Sequence, residues 1–312
     1  MSSEKKYHQI ITTLYEKHYD YGVAALVNSI VESGFEGAIV VGYKGELPFW
    51  IDQLERNEGC YKVSDRISLL FIKVDSDMHL GYYKPYFLWE CLSQFELCEK
   101  IYYFDPDIVL TGPWSFYSEW VESGISLCID VSFPFIHHRH PWRAKWAELG
   151  GVPLSQTGFN DFYANSGYLG IKRSDILILD KWIQLTDIYK SHGGNCKSFD
   201  QGLTHTAFKG DQDLLNATIT LLGKQVEYSV LGSEGMGFTE PGYLMYHAIG
   251  NKHKPWKKKF VANVILINQK PSIAESYYFN YVSVPINVFS KSTLFFKKLD
   301  LKAAKLLGRV LG

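Results

Sequence analysis

The sequence predicts an α/β protein with a Rossmann-like, mostly parallel central sheet flanked by helices, and three observations carry that prediction. Short β-branched apolar runs of buried-strand type, AIVVG at 38–42 and ISLLFIKV at 67–74, alternate with apolar stripes at helical spacing. Acidic residues follow predicted strand ends, where open α/β sheets bind their ligands. The 312 residues, 46% hydrophobic and 15% aromatic, suffice for one large domain with a real core, and no repeat or low-complexity linker divides them.

The elements follow in order. Residues 8–14 read as a first strand, and Val23, Leu26, Val27, Ile30 and Val31 as the apolar face of a helix closed by Gly34. The strand at 38–42 is separated from that at 67–74 by a turn-rich stretch, 43–66. Phe87, Leu88, Cys91, Leu92 and Phe95 mark a second helix, and 101–104 a strand that ends at Asp105 and Asp107. Strands near 125–130, 167–171, 226–231 and 244–249, with helices near 174–190 and 213–222, continue the alternation.

Charge narrows the function. With 32 Lys+Arg against 33 Asp+Glu, the net charge of -1 gives no whole-protein reason to bind nucleic acid. The distribution is uneven: residues 251–312 hold 12 basic and 2 acidic side chains, leaving 20 and 31 for the chain before them. Five cysteines, at 60, 91, 98, 128 and 196, form neither a C-x-x-C pair nor an even framework, which favours a reduced, cytoplasmic setting. The start, MSSEKKYHQI, has no apolar leader, and no apolar run reaches membrane-span length, so any membrane contact is peripheral, at the inner face.

Four motifs carry chemistry. Asp105-Pro106-Asp107 places two carboxylates one residue apart at a strand end; they repel unless a cation lies between them, and such hard oxygen ligands suit Mg²⁺ or Mn²⁺. A strand-ending turn explains the same residues without a metal. Asp211-Gln212-Asp213 opens an apolar helical stretch, where acids also serve as ordinary caps. HAIGNKHKPW at 247–256 gathers an imidazole, a glycine turn and cations, and taken alone reads more readily as a basic surface loop than as a metal or phosphate contact. Asn165-Ser166-Gly167 is a small polar corner leading into a strand, suited to hydroxyl-rich ligands and to plain turn formation.

Taken together and in this order, the motifs give the chain a resemblance to the retaining glycosyltransferases of family 8, the group of glycogenin and the bacterial lipooligosaccharide galactosyltransferases. Asp105-Pro106-Asp107 is similar to the family's DxD, Asn165-Ser166-Gly167 to its N-[AS]-G, Asp211 to Asn216 to its DQDxLN, and 247–256 to its HxxGxxKPW, with one extra residue before Lys254. The resemblance covers roughly residues 8–256. It implies a GT-A fold, with a nucleotide-sugar-binding catalytic domain over 1–260 and a basic amphipathic extension over 261–312.

The resemblance also implies the chemistry: transfer of a hexose, galactose or glucose, from a UDP-sugar to a glycan or lipid-linked acceptor in polysaccharide or oligosaccharide biosynthesis. Mn²⁺ (or Mg²⁺) would be held by Asp105, Asp107 and His247. Thr12, Thr13 and Tyr15 would contact the nucleoside, Lys84, Gly250 and Lys254 the diphosphate, and Asp211, Gln212, Asn165 and Asp130 the sugar. Asp211-Gln212 is preferred over Asp200-Gln201 because Leu214-Leu215-Asn216 continues the pattern.

Two other functions compete. Phe104 to Leu110 also resembles the nucleophile motif of haloacid-dehalogenase phosphatases, in which Asp105 would be phosphorylated; a nucleotide-sugar-binding protein without turnover is the third reading. His137, His138 and His140 read as a basic loop more than a metal tract, and Trp142 and Trp146 either stack on an acceptor sugar or pack internally. The segment 291–312 reads either as a helix on an anionic membrane surface or as one packed on the domain with a solvated lysine face.

Overall fold

The computed structural model describes residues 7–199, 206–249 and 254–310. Strand β1 (Gln9–Glu16) is buried on both faces and forms the middle of the sheet, between β2 (Gly37–Lys44) and β6 (Lys100–Phe104). Beyond β2 lie β5 (Ile67–Lys73), β4 (Cys60–Lys62) and β3 (Glu55–Asn57); beyond β6 lie β9 (Tyr168–Lys172), β8 (Ile125–Cys128) and β10 (Tyr228–Leu231). In this nine-stranded sheet only β4 and β9 run against the others, so the sheet is mostly parallel. A separate antiparallel ribbon joins β7 (Ile108–Leu110) to β11 (Met245–His247).

Side-chain alternation along the strands builds two cores. Ile10, Leu14, Ala38 and Val40 face helices α2 (Leu80–Gln94), α5 (Leu177–Ser191) and α6 (Asp211–Leu222). Ile11, Ile39, Val41 and Leu69 face α1 (Asp20–Ser33) and α3 (Trp114–Trp120) on the other side. Helix α1 ends as its glycine signals: Gly34 has φ 85° and donates its N–H to the Val31 carbonyl. Helix α4 (Pro141–Leu149) packs against α6.

The chain beyond residue 260 continues the α1-side core. Helices α7 (Phe260–Ile267) and α8 (Ile273–Tyr278) and the turns after them bury Phe260, Tyr278, Phe279, Val282, Ile286 and Val288 in the same cluster as Val23 and Ile30. Asn28 of α1 fixes this segment, donating to the carbonyls of Tyr281 and Ile286 and accepting from the Ile286 N–H. The basic helix α9 (Lys291–Val310) then packs on α7. No helix among the described residues is long and apolar enough to cross a membrane. All five cysteines are buried and free.

The structure adds elements that the periodicity does not disclose. The hairpin β3–β4 lies in the turn-rich stretch: its strands are three residues each, and β3 is wholly polar and exposed, which leaves no apolar alternation to read. Helix α2 begins seven residues before its apolar stripe, because His79 caps it by accepting the Gly81 N–H on Nδ1.

Candidate functional site

The Asp105-Pro106-Asp107 turn is held from three directions. Asp105 donates its N–H to the Gly167 carbonyl at 2.8 Å, which ties the end of β6 to the start of β9. The Ile108 N–H closes the turn on the Asp105 carbonyl, and the β7–β11 ribbon, with Ile108 opposite His247, brings residues 107 and 247 together. Beneath the turn lies Gly22 of α1, so close that a Cβ there would stand within 2.2 Å of the Pro106 carbonyl oxygen.

At this corner each carboxylate divides its two oxygens. Asp105 gives Oδ1 to the Tyr103 hydroxyl at 2.8 Å and to Lys84 Nζ at 3.1 Å, while its Oδ2 lies 3.6 Å from His247 Nε2. Asp107 gives Oδ2 to Lys254 Nζ at 2.5 Å, and its Oδ1 lies 3.2 Å from the same Nε2. The outer oxygens are thus neutralised by lysines. The inner two face the imidazole, and these three ligand atoms lie within 4.8 Å of one another.

Lys84 is buried and links both acidic motifs. Its Nζ also contacts Asp211 Oδ2 at 2.9 Å, as an ion pair without hydrogen-bond geometry, and donates to the Ser166 carbonyl at 3.0 Å. Burial works against its charge, but Asp105 and Asp211 outweigh it and hold the ammonium above the ordinary lysine range. Lys254 follows the same balance, with Asp107 as its main partner. Burial alone would raise Asp107, yet Lys254 and His247 prevail and hold its carboxyl below the usual carboxylate range.

The site opens into a cleft of about 490 Å³. Its lining includes Tyr15, Lys84, Asp105, Asp107, Asn165, Asp211, Gln212, His247 and Lys254, so nine of the residues singled out by sequence converge on one space. Gln212 is held by accepting the Ser166 N–H at 3.1 Å. Asn216 fixes the polar corner by exchanging hydrogen bonds with the N–H and carbonyl of Ala164. Asp213 is a cap: it accepts from the Lys209 and Gly210 N–H groups and from Tyr163, and burial pushes its carboxyl up to about 6.

Three expected contacts do not reach the cleft. Thr12 and Thr13 are fully buried within β1, with the Thr12 hydroxyl donating to the Tyr102 carbonyl. The strand runs to Glu16, so its ligand-facing end is Tyr15 and Glu16. Asp130 stands behind Asn165, accepting its Nδ2 at 2.8 Å, and so orients that amide without lining the cleft. Gly250, Asp200 and Gln201 lie outside the described residues.

Glu16, Tyr19, His79, Tyr103 and Phe199 also line the cleft without being marked as site residues by any of the four motifs. Tyr103 could have been found from its place within the Tyr-Tyr-Phe-Asp-Pro-Asp run; the others depend on tertiary placement. Trp146 is buried, its Nε1 donating to the Ala207 carbonyl, which excludes it as a sugar platform. His140 caps α4, whereas His137, His138 and Asp161 bring ligand atoms together at the surface, outside the cleft lining.

A divalent metal fits the inner oxygens. Two carboxylates and an imidazole are a donor set suited to Mn²⁺ or Mg²⁺. The Asp105, Asp107 and Asp211 carboxylates outnumber the Lys84 and Lys254 ammonium groups that they meet. The His247 ring has room only because residue 167 is glycine, where a Cβ would lie 2.5 Å from Cε1. Asp105, Asp107 and His247 therefore form a group that can hold a metal ion.

No protein-family model matches the chain, and no curated protein matches it.

Proposed function

We propose that the protein is a metal-dependent retaining glycosyltransferase of GT-A type that moves a hexose, galactose or glucose, from a UDP-sugar to a glycan or lipid-linked acceptor. The observation that carries this reading is the pair of inner oxygens, Asp105 Oδ2 and Asp107 Oδ1, turned on His247 at the floor of a cleft bordered by the buried Lys84, the nearly buried Lys254 and by amide and hydroxyl groups.

In this reading Asp105, Asp107 and His247 would hold Mn²⁺, which would supply Lewis-acid stabilisation for a diphosphate leaving group. Lys84 and Lys254 stand on either side of the carboxylates as fixed cations, so leaving-group charge is met by preorganised partners. Asn165 spends one Nδ2 proton on Asp130 and its Oδ1 on the Gly167 N–H, and keeps one proton for a sugar hydroxyl. Gln212 and Asp211 border the same space and supply acceptors for further hydroxyls. Tyr15 and Tyr19, at the end of β1 and just beyond it, give the nucleoside an aromatic wall.

The deciding measurement is free nucleoside diphosphate released from UDP-, GDP- and CDP-sugars with Mn²⁺ and again with EDTA. Turnover of a UDP-hexose that EDTA abolishes is the expected result. Release of phosphate from phosphomonoesters in place of UDP would move the protein to the phosphatase reading. Mn²⁺-dependent UDP binding without turnover on any acceptor would make it a binding protein.

A further inference from the structure

Helix α9 carries three stripes, and packing on α7 accounts for one of them. At helical spacing Leu301, Ala304 and Gly308 share one side, where they are buried against the rest of the protein. The opposite side presents Phe295, Leu299 and Leu306, which are 63, 51 and 54% exposed, and Val310 at 81%. Between these sides runs a row of exposed cations, Lys291, Lys298, Lys302, Lys305 and Arg309. The only carboxylate of the helix, Asp300, is turned inward, where it accepts the N–H groups of Phe260 and Val261 at 2.7 and 3.0 Å. The outer surface of α9 is thus apolar and cationic without a compensating anion of its own.

Helix α7 adds to this end of the molecule. Its last turn leaves Ile265, Leu266 and Ile267 62, 78 and 65% exposed, and Lys270 just after it lies against Gly308 of α9. Seven exposed apolar side chains on two packed helices exceed the scattered exposure of an ordinary surface.

We propose that α9, with the last turn of α7, is a docking face for an anionic lipid surface, the apolar stripe entering the headgroup boundary and the cationic row meeting the lipid phosphates. Charge selects this occupant. A second copy of the chain related by two-fold symmetry would bring two cationic rows without acids together, whereas an anionic bilayer complements both stripes at once. The Asp300 caps hold the helix so that both stripes stay outward.

The test is co-sedimentation of the full chain with phosphatidylcholine vesicles, with and without phosphatidylglycerol, at low and high salt. It needs neither donor nor metal, so its outcome is independent of the transferase reading. Binding is expected only with phosphatidylglycerol and is expected to weaken with salt. Lys298→Glu, Lys302→Glu and Lys305→Glu together should weaken it on the order of a hundred-fold. Phe295→Ser with Leu299→Ser should weaken it at least about ten-fold; all these sites are exposed, and circular dichroism confirms folding. No binding to anionic vesicles, or binding that neither set of changes alters, overturns the proposal. So does a dimer in sedimentation velocity that the Phe295 and Leu299 changes dissolve.

Discussion

Asp107 shows how much of the site depends on one side chain, since it meets a histidine through one oxygen and a lysine through the other. Asp107→Asn keeps volume and removes charge. It should lower Mn²⁺ affinity at least about a hundred-fold and, by leaving Lys254 nearly buried with only a carbonyl, cost about 3 kcal/mol of stability. Calorimetric metal titration and thermal unfolding check both, and an unchanged titration would remove the metal assignment. Asp213 tests the cap separately. Its folded carboxyl is raised to about 6 by burial, above the unfolded value near 3.8, so the folded chain holds the proton longer. Its contribution to stability therefore falls as pH rises through that window, by an amount on the order of 3 kcal/mol. Asp213→Asn has no such term, so its melting temperature relative to the native chain should improve by several degrees between pH 4 and pH 7.5. A difference that stays flat with pH would show that burial does not perturb this carboxyl.

Elements decide which of these residues can meet. The carboxylates of Asp105 and Asp107 are legible in the sequence because an apolar strand followed by acids is a local pattern. That His247 lies beside them is a property of the β7–β11 pairing: the strand near 244–249 is legible, but its three-residue partner β7 gives no periodic signal of its own. Thr12 and Thr13 mislead for a related reason: strand periodicity marks which residues are buried but not where the strand stops, and β1 continues two residues past its apparent end at Leu14. The approach of α1 to the Asp105-Pro106-Asp107 turn is equally silent until Gly22 is seen under Pro106. Alanine at 22 would gain about 1 kcal/mol of helix propensity. The added Cβ would meet backbone at 2.2 Å and the Trp256 ring at 2.9 Å, and overpacking of this kind costs about 1–3 kcal/mol and moves the turn. Gly22→Ala should therefore lower both melting temperature and Mn²⁺ affinity; a more stable variant with native affinity would mean that helix and turn separate freely.

At the scale of the whole molecule, the segment after the site motifs makes two unequal contributions. The basic composition of residues 261–312 reads as an appendage, because lysines dominate the count while Tyr278, Phe279, Val282, Ile286 and Val288 are spaced too irregularly to announce a buried face. The structure seats those side chains against α1, with the Lys258–Glu275 pair buried at 2.6 Å where α8 begins. Burying five such residues is worth on the order of 10 kcal/mol, comparable to the entire net stability of a typical domain. Helix α9 adds only Leu301, Ala304 and Gly308 to the buried set. A chain ending at residue 290 should accordingly fold with a reduced melting temperature, whereas one ending at 259 should leave the α1 face open and fail to yield soluble, cooperatively unfolding protein. Expression of both truncations with calorimetric scans separates the cases, since a stable 1–259 fragment would require the sheet and α1 to close a core without the C-terminal segment.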